Sequence, residues 1–321
     1  MKNILVSGAS GIVGYGILRS LRMSGKDNRL IGTSIFEDTI AEAFCDLFVK
    51  AVPTDDEGYI DWLVQVIEKH DVGLIVPGIE IDMKVWNENR HALERAGARL
   101  LLNESGLIRL CADKWDFYRY MKENDLPYVI RSSLDRDYEK LTGSLGRSLL
   151  IKPRVGYGSR GIVKVDSQEV FERYKAEIGE NCLVQEFVGT DEEEYSCSAF
   201  GDGEGGLFGM LSLQRFLSKD GYTERATVVE DADLQVAVGR LVEHFKPVGP
   251  TNFQFRRCQA GGLKLLEINP RISSSTSIRS AFGYNEPAMS VDYFLHGRRP
   301  ESPAIRKGRA IRYTEDYIAY E

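Results

Sequence analysis

Apolar positions in the first hundred residues fall into short unbroken runs, separated by stretches with helical spacing. Asn3–Ser7 (NILVS), Leu30–Ser34 and Gly73–Val76 are runs of the kind expected of strands buried on both faces. Between them the pattern predicts a helix from the turn at Gly8–Gly14 to about Met23, and helices around Tyr59–His70 and Met83–Ala96. A short strand is predicted near Arg99–Leu102. Strand and helix alternating in this way predict a parallel sheet with helices on its faces.

Beyond residue 112 the pattern changes. Asp113–Asn124 reads as an amphipathic helix with Asp113 as N-cap, ended by Leu126-Pro127. A compact α+β unit is predicted next: a strand after Pro127, helix Asp137–Leu145, strand Ser148–Pro153, a glycine loop, strand Gly161–Val165, helix Ser167–Ile178 and strand Cys182–Val188. Tyr195–Gly201 reads as a further strand. Thr251–Arg271 reads as two strands around a turn at Ala260–Gly262. The end of the chain predicts a helix over Glu286–His296, with Pro287 in its first turn, and a final strand over Ala310–Tyr320.

At 321 residues and 43% hydrophobic content the chain has material for two or three domains. A net charge of −7 argues against nucleic acid as the main partner. No apolar run approaches bilayer length and the N-terminus enters a strand directly, so the expected location is the cytoplasm, without membrane contact. The five cysteines are scattered, as are the four histidines, and neither set makes a metal motif or a nucleophile–base pair.

The candidate chemistry lies in a few clusters. On a strand, residues two apart share a face, so Glu267, Asn269 and Arg271 project together if the extended conformation persists through Pro270. With the right register, Gln254 on the first strand of the pair joins them. Carboxylate and amide oxygens suit Mg²⁺, and an arginine beside them suits a transferring phosphoryl group. The loop Gly156–Gly161, containing Gly158, Ser159 and Arg160, offers backbone N–H groups to phosphate, and Lys152 stands just before it. Gln185-Glu186-Phe187-Val188 suits adenine, and one acid of Glu192-Glu193-Glu194 suits ribose. Glu80 and Asp82, after the third strand, either touch substrate or cap the following helix. Gly8, Gly11 and Gly14, with Glu37 or Asp38 downstream and a Tyr118/Lys122 pair, leave open an NAD(P)-dependent oxidoreductase; the same glycines also serve as plain turn makers.

Taken in order, Lys114, Ile151-Lys152-Pro153, the glycine loop, Gln185–Val188, Glu194-Tyr195-Ser196, Asn252–Phe255 and Glu267-Ile268-Asn269-Pro270-Arg271 resemble the ATP-grasp enzymes. The likeness is to a single ATP-grasp unit of the carbamoyl phosphate synthase large subunit and its stand-alone ligase relatives. It implies an α/β and α+β architecture: a Rossmann-like pre-grasp domain over 1–110, a linker helix and lid over 111–188, and a large subdomain over 189–321.

The resemblance also implies ATP, with Mg²⁺ (two ions, Mn²⁺ being an alternative), and a carboxylate activated as an acyl phosphate and captured by an amine or other nucleophile. Lys114, Lys152, Gly156, Gly158, Ser159 and Gly161 would hold phosphates. Glu186, Phe187 and Val188 would hold adenine, and Glu194, with Glu193 as competitor, the ribose. Gln254, Glu267 and Asn269 would bind metal, and Arg271 would serve the phosphoryl group. Glu80, Arg225, Ser273 and Arg279 are candidate substrate contacts. Ser274 stands where the synthases carry a second arginine, which points away from bicarbonate and toward an organic acid. A homodimer and a non-catalytic ATP-binding regulator are left open.

Overall fold

The computed structural model describes residues 2–37, 39–156, 161–219, 221–258 and 261–318; Asp38, Gly158, Ser159, Arg160 and Ala260 lie outside them. The first sheet contains β1 (Asn3–Val6), β2 (Leu30–Ser34), β3 (Leu47–Lys50), β4 (Val72–Val76) and β5 (Arg99–Leu100), in the order β3-β2-β1-β4-β5. Every pairing in it is parallel. Its central strands are buried on both sides, with Leu5, Ile31 and Ile75 in one core cluster and Ile4, Leu30 and Leu74 in the other. Strand β3 escapes the sequence pattern because it is only half-buried and ends on an exposed lysine.

The second sheet is antiparallel and small: β6 (Ser132–Ser133), β7 (Leu149–Pro153), β8 (Val163–Val165) and β9 (Cys182–Glu186), in the order β6-β9-β7-β8. The third is the largest, with β10 (Glu194–Asp202), β11 (Leu207–Leu217), β12 (Thr223–Val229), β13 (Val248–Arg257), β14 (Leu263–Asn269) and β15 (Arg309–Ile311), in the order β14-β13-β10-β11-β12-β15. Helix Ala232–Phe245 packs on one face, burying Leu234, Val238 and Leu241 against Phe253 and Phe255. Asp113 caps helix Lys114–Glu123 through the backbone N–H groups of Trp115 and Asp116.

Some elements depart from the pattern. The helix expected over Met83–Ala96 is two, Glu80–Glu88 and Arg90–Arg95, parted at Asn89, whose side chain donates back to the Val85 carbonyl at 2.8 Å. Asp82 does not cap: it is buried and accepts from the hydroxyls of Thr54 (2.6 Å) and Tyr59 (3.0 Å). The helix at Glu286 is α-helical only to Ser290 and continues as a π-turn over Val291–Leu295. The final strand is three residues, because Tyr313 and Tyr317 beyond it are exposed and have no buried face to hold them in a sheet.

One side chain joins the first and third sheets. Asn103 is buried; it donates to Thr251 Oγ1 (3.0 Å) and the Pro270 carbonyl (3.1 Å), and accepts from the Val248 amide (2.8 Å). The glycine turn after β1 is filled by the protein itself. A Cβ on Gly14 would meet the Gly8 carbonyl oxygen at 2.3 Å, and one on Gly8, whose φ is +56°, would meet Ile79 Cγ2 at 2.5 Å. Glu37, the other half of the suggested ribose acid pair, is exposed and pairs with Lys50. No described helix is long and apolar enough to cross a membrane.

Candidate active site

Between the second and third sheets, and reaching the first, lies a cavity of about 750 Å³. Its floor is the β13–β14 hairpin, where Gln254 pairs directly with Glu267 and Asn252 with Asn269. Direct partners on antiparallel strands share a face, so Gln254 and Glu267 project together. The extended run ends at Asn269, not beyond it: the Arg271 amide donates to the Asn269 carbonyl at 2.8 Å, turning the chain at Pro270. Arg271 still reaches the cluster, donating to Asn269 Oδ1 (3.2 Å) and Glu80 Oε2 (3.0 Å). Asn269 donates to Glu267 Oε1 at 2.9 Å.

Four of the five carboxylates among the described liners are already neutralised: Glu80 by Arg271, Glu186 by Arg131, and Asp191 and Glu194 by Arg256, with Arg215 also on Glu194. Glu267 alone among the described liners has no cation at ion-pair distance. Three lysines have the converse property. Lys114 donates to the Gly156 carbonyl (3.0 Å), Lys152 to Gln185 Oε1 (2.7 Å), and Lys164 lies 4.9 Å from the Phe187 ring centroid, none of them against a carboxylate. Burial pushes the Lys152 ammonium down to about 8, with the charge of Glu267 working in the other direction.

Residues 180–317 match the family model described as ATP-grasp in the biosynthetic pathway with Ter operon. The structure also resembles solved ones. N5-carboxyaminoimidazole synthetase from Staphylococcus aureus superposes with a TM-score of 0.71 at 17% identity, over 95% of this chain and 81% of that one. Biotin carboxylase from Campylobacter jejuni gives 0.72 at 16%, over 96% and 74%. The biotin carboxylase domain of Hydrogenobacter thermophilus 2-oxoglutarate carboxylase, in complex with MgADP, ADP and bicarbonate, gives 0.68 at 17%, over 93% and 70%. The chain has the ATP-grasp fold. No curated protein matches its sequence.

Within the ATP-grasp frame several of the expected contacts change. The Glu194 carboxylate is buried and takes paired N–H donors from Arg215 (3.0 and 2.8 Å) and from Arg256 (3.1 and 2.9 Å), which leaves it poorly placed to accept from ribose hydroxyls. Its competitor Glu193 accepts from the Tyr195 hydroxyl and is not among the described liners, whereas Asp191, just before that run, is. Glu186 lines the cavity, but its carboxylate is held by the Arg131 amide (2.9 Å) and guanidinium (2.7 Å). Phe187 and Val188 line it as expected, with the Lys164 and Arg256 cations against the Phe187 ring. Gln254 Oε1 accepts from Arg215 at 2.7 Å, so its oxygen is shared with a cation.

Arg279 overturns the expectation made for it. It is fully buried and absent from the cavity wall, donating to Ser273 Oγ (2.6 Å), Ser196 Oγ (2.8 Å) and Asn252 Oδ1 (2.7 Å) and pairing with buried Glu286 (3.4 Å). It braces the wall from behind. Ser273, Arg225 and Glu80 do line the cavity, as does Gly156, while Gly161 is not among the described liners. Tyr118 lines it too, on the face of an ordinary packed helix, its ring tilted against Trp115 at 5.3 Å between centroids. Arg256 and Lys164 are liners that motif order does not single out. The spacing of Arg256, two residues from Gln254 on one strand, was a readable signal for it.

Proposed function

We propose that this protein is an ATP- and Mg²⁺-dependent ligase that activates a carboxylate as an acyl phosphate and transfers the acyl group to an amine or other nucleophile, releasing ADP and phosphate. The observation that carries the reading is the pairing of one uncompensated carboxylate, Glu267, with three carboxylate-free lysines around the same cavity. A polyanion with a hard divalent cation satisfies both at once. The MgADP and bicarbonate of the Hydrogenobacter neighbour support the same assignment.

The donor chemistry fits Mg²⁺. The described residues hold no cluster of three His, Cys, Asp or Glu suited to a metal, so Glu267 is the protein's anionic ligand, with Asn269 and then Gln254 as amide donors and phosphate oxygens and water completing the shell. Bound there, the metal supplies charge neutralisation for phosphoryl transfer. Two ions, or Mn²⁺, remain part of the reading.

The chain's own residues do the rest. Lys114 and Lys152 neutralise phosphate oxygens, and Lys114 also ties Gly156 at the start of the glycine loop. Phe187 and Val188 offer apolar surface to the base. Arg271 offers N–H donors to the phosphoryl group and the attacking carboxylate, two anions whose mutual repulsion must be offset for reaction. The organic-acid preference rests on Ser274, a neutral hydroxyl on the cavity wall. The domain limits 1–110, 111–188 and 189–321 and a homodimeric assembly belong to the same proposal.

The deciding experiment is a screen of carboxylic acids for ATP- and Mg²⁺-dependent hydroxamate formation, with hydroxylamine trapping the acyl phosphate. A hydroxamate together with stoichiometric ADP is the expected result. Nucleotide binding without product from any acid would leave a non-catalytic ATP-binding protein.

A further inference from the structure

Charge around the cavity is unevenly placed. Among its described liners seven lysines and arginines face five carboxylates, in a chain whose net charge is −7. Besides the three lysines, a fourth lining cation lacks a carboxylate: Arg225 on β12. The lysines belong to the side of β7–β9, whereas β12 is three strands away from β13 across the large sheet, roughly 14 Å at ordinary strand spacing. Arg225 therefore stands apart from the hairpin that carries Glu267.

The Arg225 side chain makes no hydrogen bond or ion pair among the described residues. Its guanidinium lies 4.9 Å from the Phe216 ring centroid, a contact that orients the group while leaving its N–H donors unused. Behind the same wall stands a second arginine with no acid against it among the described residues. Arg312, just past β15, is half-buried; it donates to the Thr223 carbonyl at 3.0 Å and to the Ser274 carbonyl, and lies 5.9 Å from the Tyr222 ring centroid. Tyr222 and Ser274 both line the cavity. Arg312 therefore joins the start of β12 to the turn after β14 and adds a positive charge that no carboxylate among the described residues offsets. Ile12, Val13 and Leu217 contribute apolar wall. Arg225 is exposed, so its donors are open to an anion entering the cavity, while Arg312 is partly desolvated behind it.

We propose that Arg225, positioned and reinforced by Arg312, seats a second anionic group on the acid substrate, remote from the carboxylate that is activated. The acid is then a dianion: a dicarboxylate or a phosphorylated carboxylic acid with an apolar spacer. Which carboxylate reacts rests on the ligase reading above; the seat itself does not require turnover.

The test titrates a homologous series of α,ω-dicarboxylates, their monomethyl esters and the matching ω-phosphonocarboxylates calorimetrically into the full chain, with and without Mg²⁺ and a non-hydrolysable ATP analogue. At one chain length a dianion should bind about tenfold or more tighter than its own monoester. Arg225→Gln should abolish that difference. Arg312→Gln should narrow it with the monoester's affinity unchanged, a split that a purely structural role would not produce. Whether the carboxylate or phosphonate series binds tighter identifies the group. The proposal is overturned if no dianion outbinds its monoester, or if the preference survives Arg225→Gln. Failure of the ligase reading appears separately, as absent binding of the ATP analogue, and the nucleotide-free titrations then still read the seat.

Discussion

Arg271, on the turn after β14, is ion-paired at 3.0 Å with Glu80, which opens the helix after β4, so two sheets meet at the residue assigned to the phosphoryl group. The pair is mostly buried and lies beside Asn269, to which Arg271 also donates. Glu80 holds the guanidinium beside the β13–β14 hairpin and competes with any incoming anion for its donors. Arg271→Met should lower kcat by about a hundredfold or more through lost charge stabilisation while nucleotide affinity changes less than about threefold. In Glu80→Gln the guanidinium keeps its bonds to Asn269 and the Ile272 carbonyl, so the loss should stay under about tenfold. Steady-state kinetics beside calorimetric nucleotide binding reads both, and equal losses in the two variants would take Arg271 out of the chemistry.

The Glu267 carboxylate accepts one hydrogen bond, from Asn269, and no cation among the described residues stands at ion-pair distance from it. Removing that charge should therefore spare the fold. Glu267→Gln is expected to keep unfolding free energy within about 1 kcal/mol of the parent. ADP formation should fall by about tenfold or more, with a raised Mg²⁺ requirement. Metal titrations of activity, paired with urea denaturation, separate the two effects, and near-normal turnover would remove Glu267 from the metal site.

Much of this site was legible because its parts are strand-borne. A period of two predicts that Glu267 and Asn269 share a face, and the observed register adds Gln254 to it. Unbroken apolar runs gave the central strands of the first sheet, whose burial leaves little room for any other pattern. What the pattern could not give was how each charge is shared. Glu194 looked free in an acidic run, yet Arg215 and Arg256 reach it from neighbouring strands, a tertiary fact with no local signature. Arg279 sat at a suggestive distance from the metal motif, but its helix turns it into the interior. Edge strands β3 and β15 were missed or overdrawn because neither buries a full face.

Arg279 and Glu286 form a fully buried ion pair, and the Glu286 carboxylate also accepts from the Ser198 hydroxyl. Arg279→Met would leave that carboxylate uncompensated, at a cost of about 3–5 kcal/mol. The double variant Arg279→Met, Glu286→Leu removes both charges and should recover a substantial part of the loss. Chemical denaturation of the two single variants and the double closes the cycle. A stable Arg279→Met with selectively weakened acid binding would restore Arg279 to the substrate site.

Lys152 is buried, and desolvation brings its ammonium from 10.5 down to about 8. The groups facing it are Glu267 and Glu194, which favour the charged form, and Lys114 and Arg256, which oppose it. Between about pH 8 and 10.5 the unfolded chain keeps a proton that the folded chain has released, so this group's contribution makes stability rise with pH across that window. A bound polyphosphate reverses the balance by favouring the ammonium. Binding an ATP analogue with Mg²⁺ should therefore take up protons just above pH 8 and few at pH 6.5, where Lys152 is already charged. Calorimetry in two buffers of different ionisation enthalpy measures the uptake. Lys152→Met should abolish it and weaken nucleotide binding by about tenfold or more, the loss expected for one charge-assisted phosphate contact. Proton uptake that persists undiminished in that variant would assign the titration to another group.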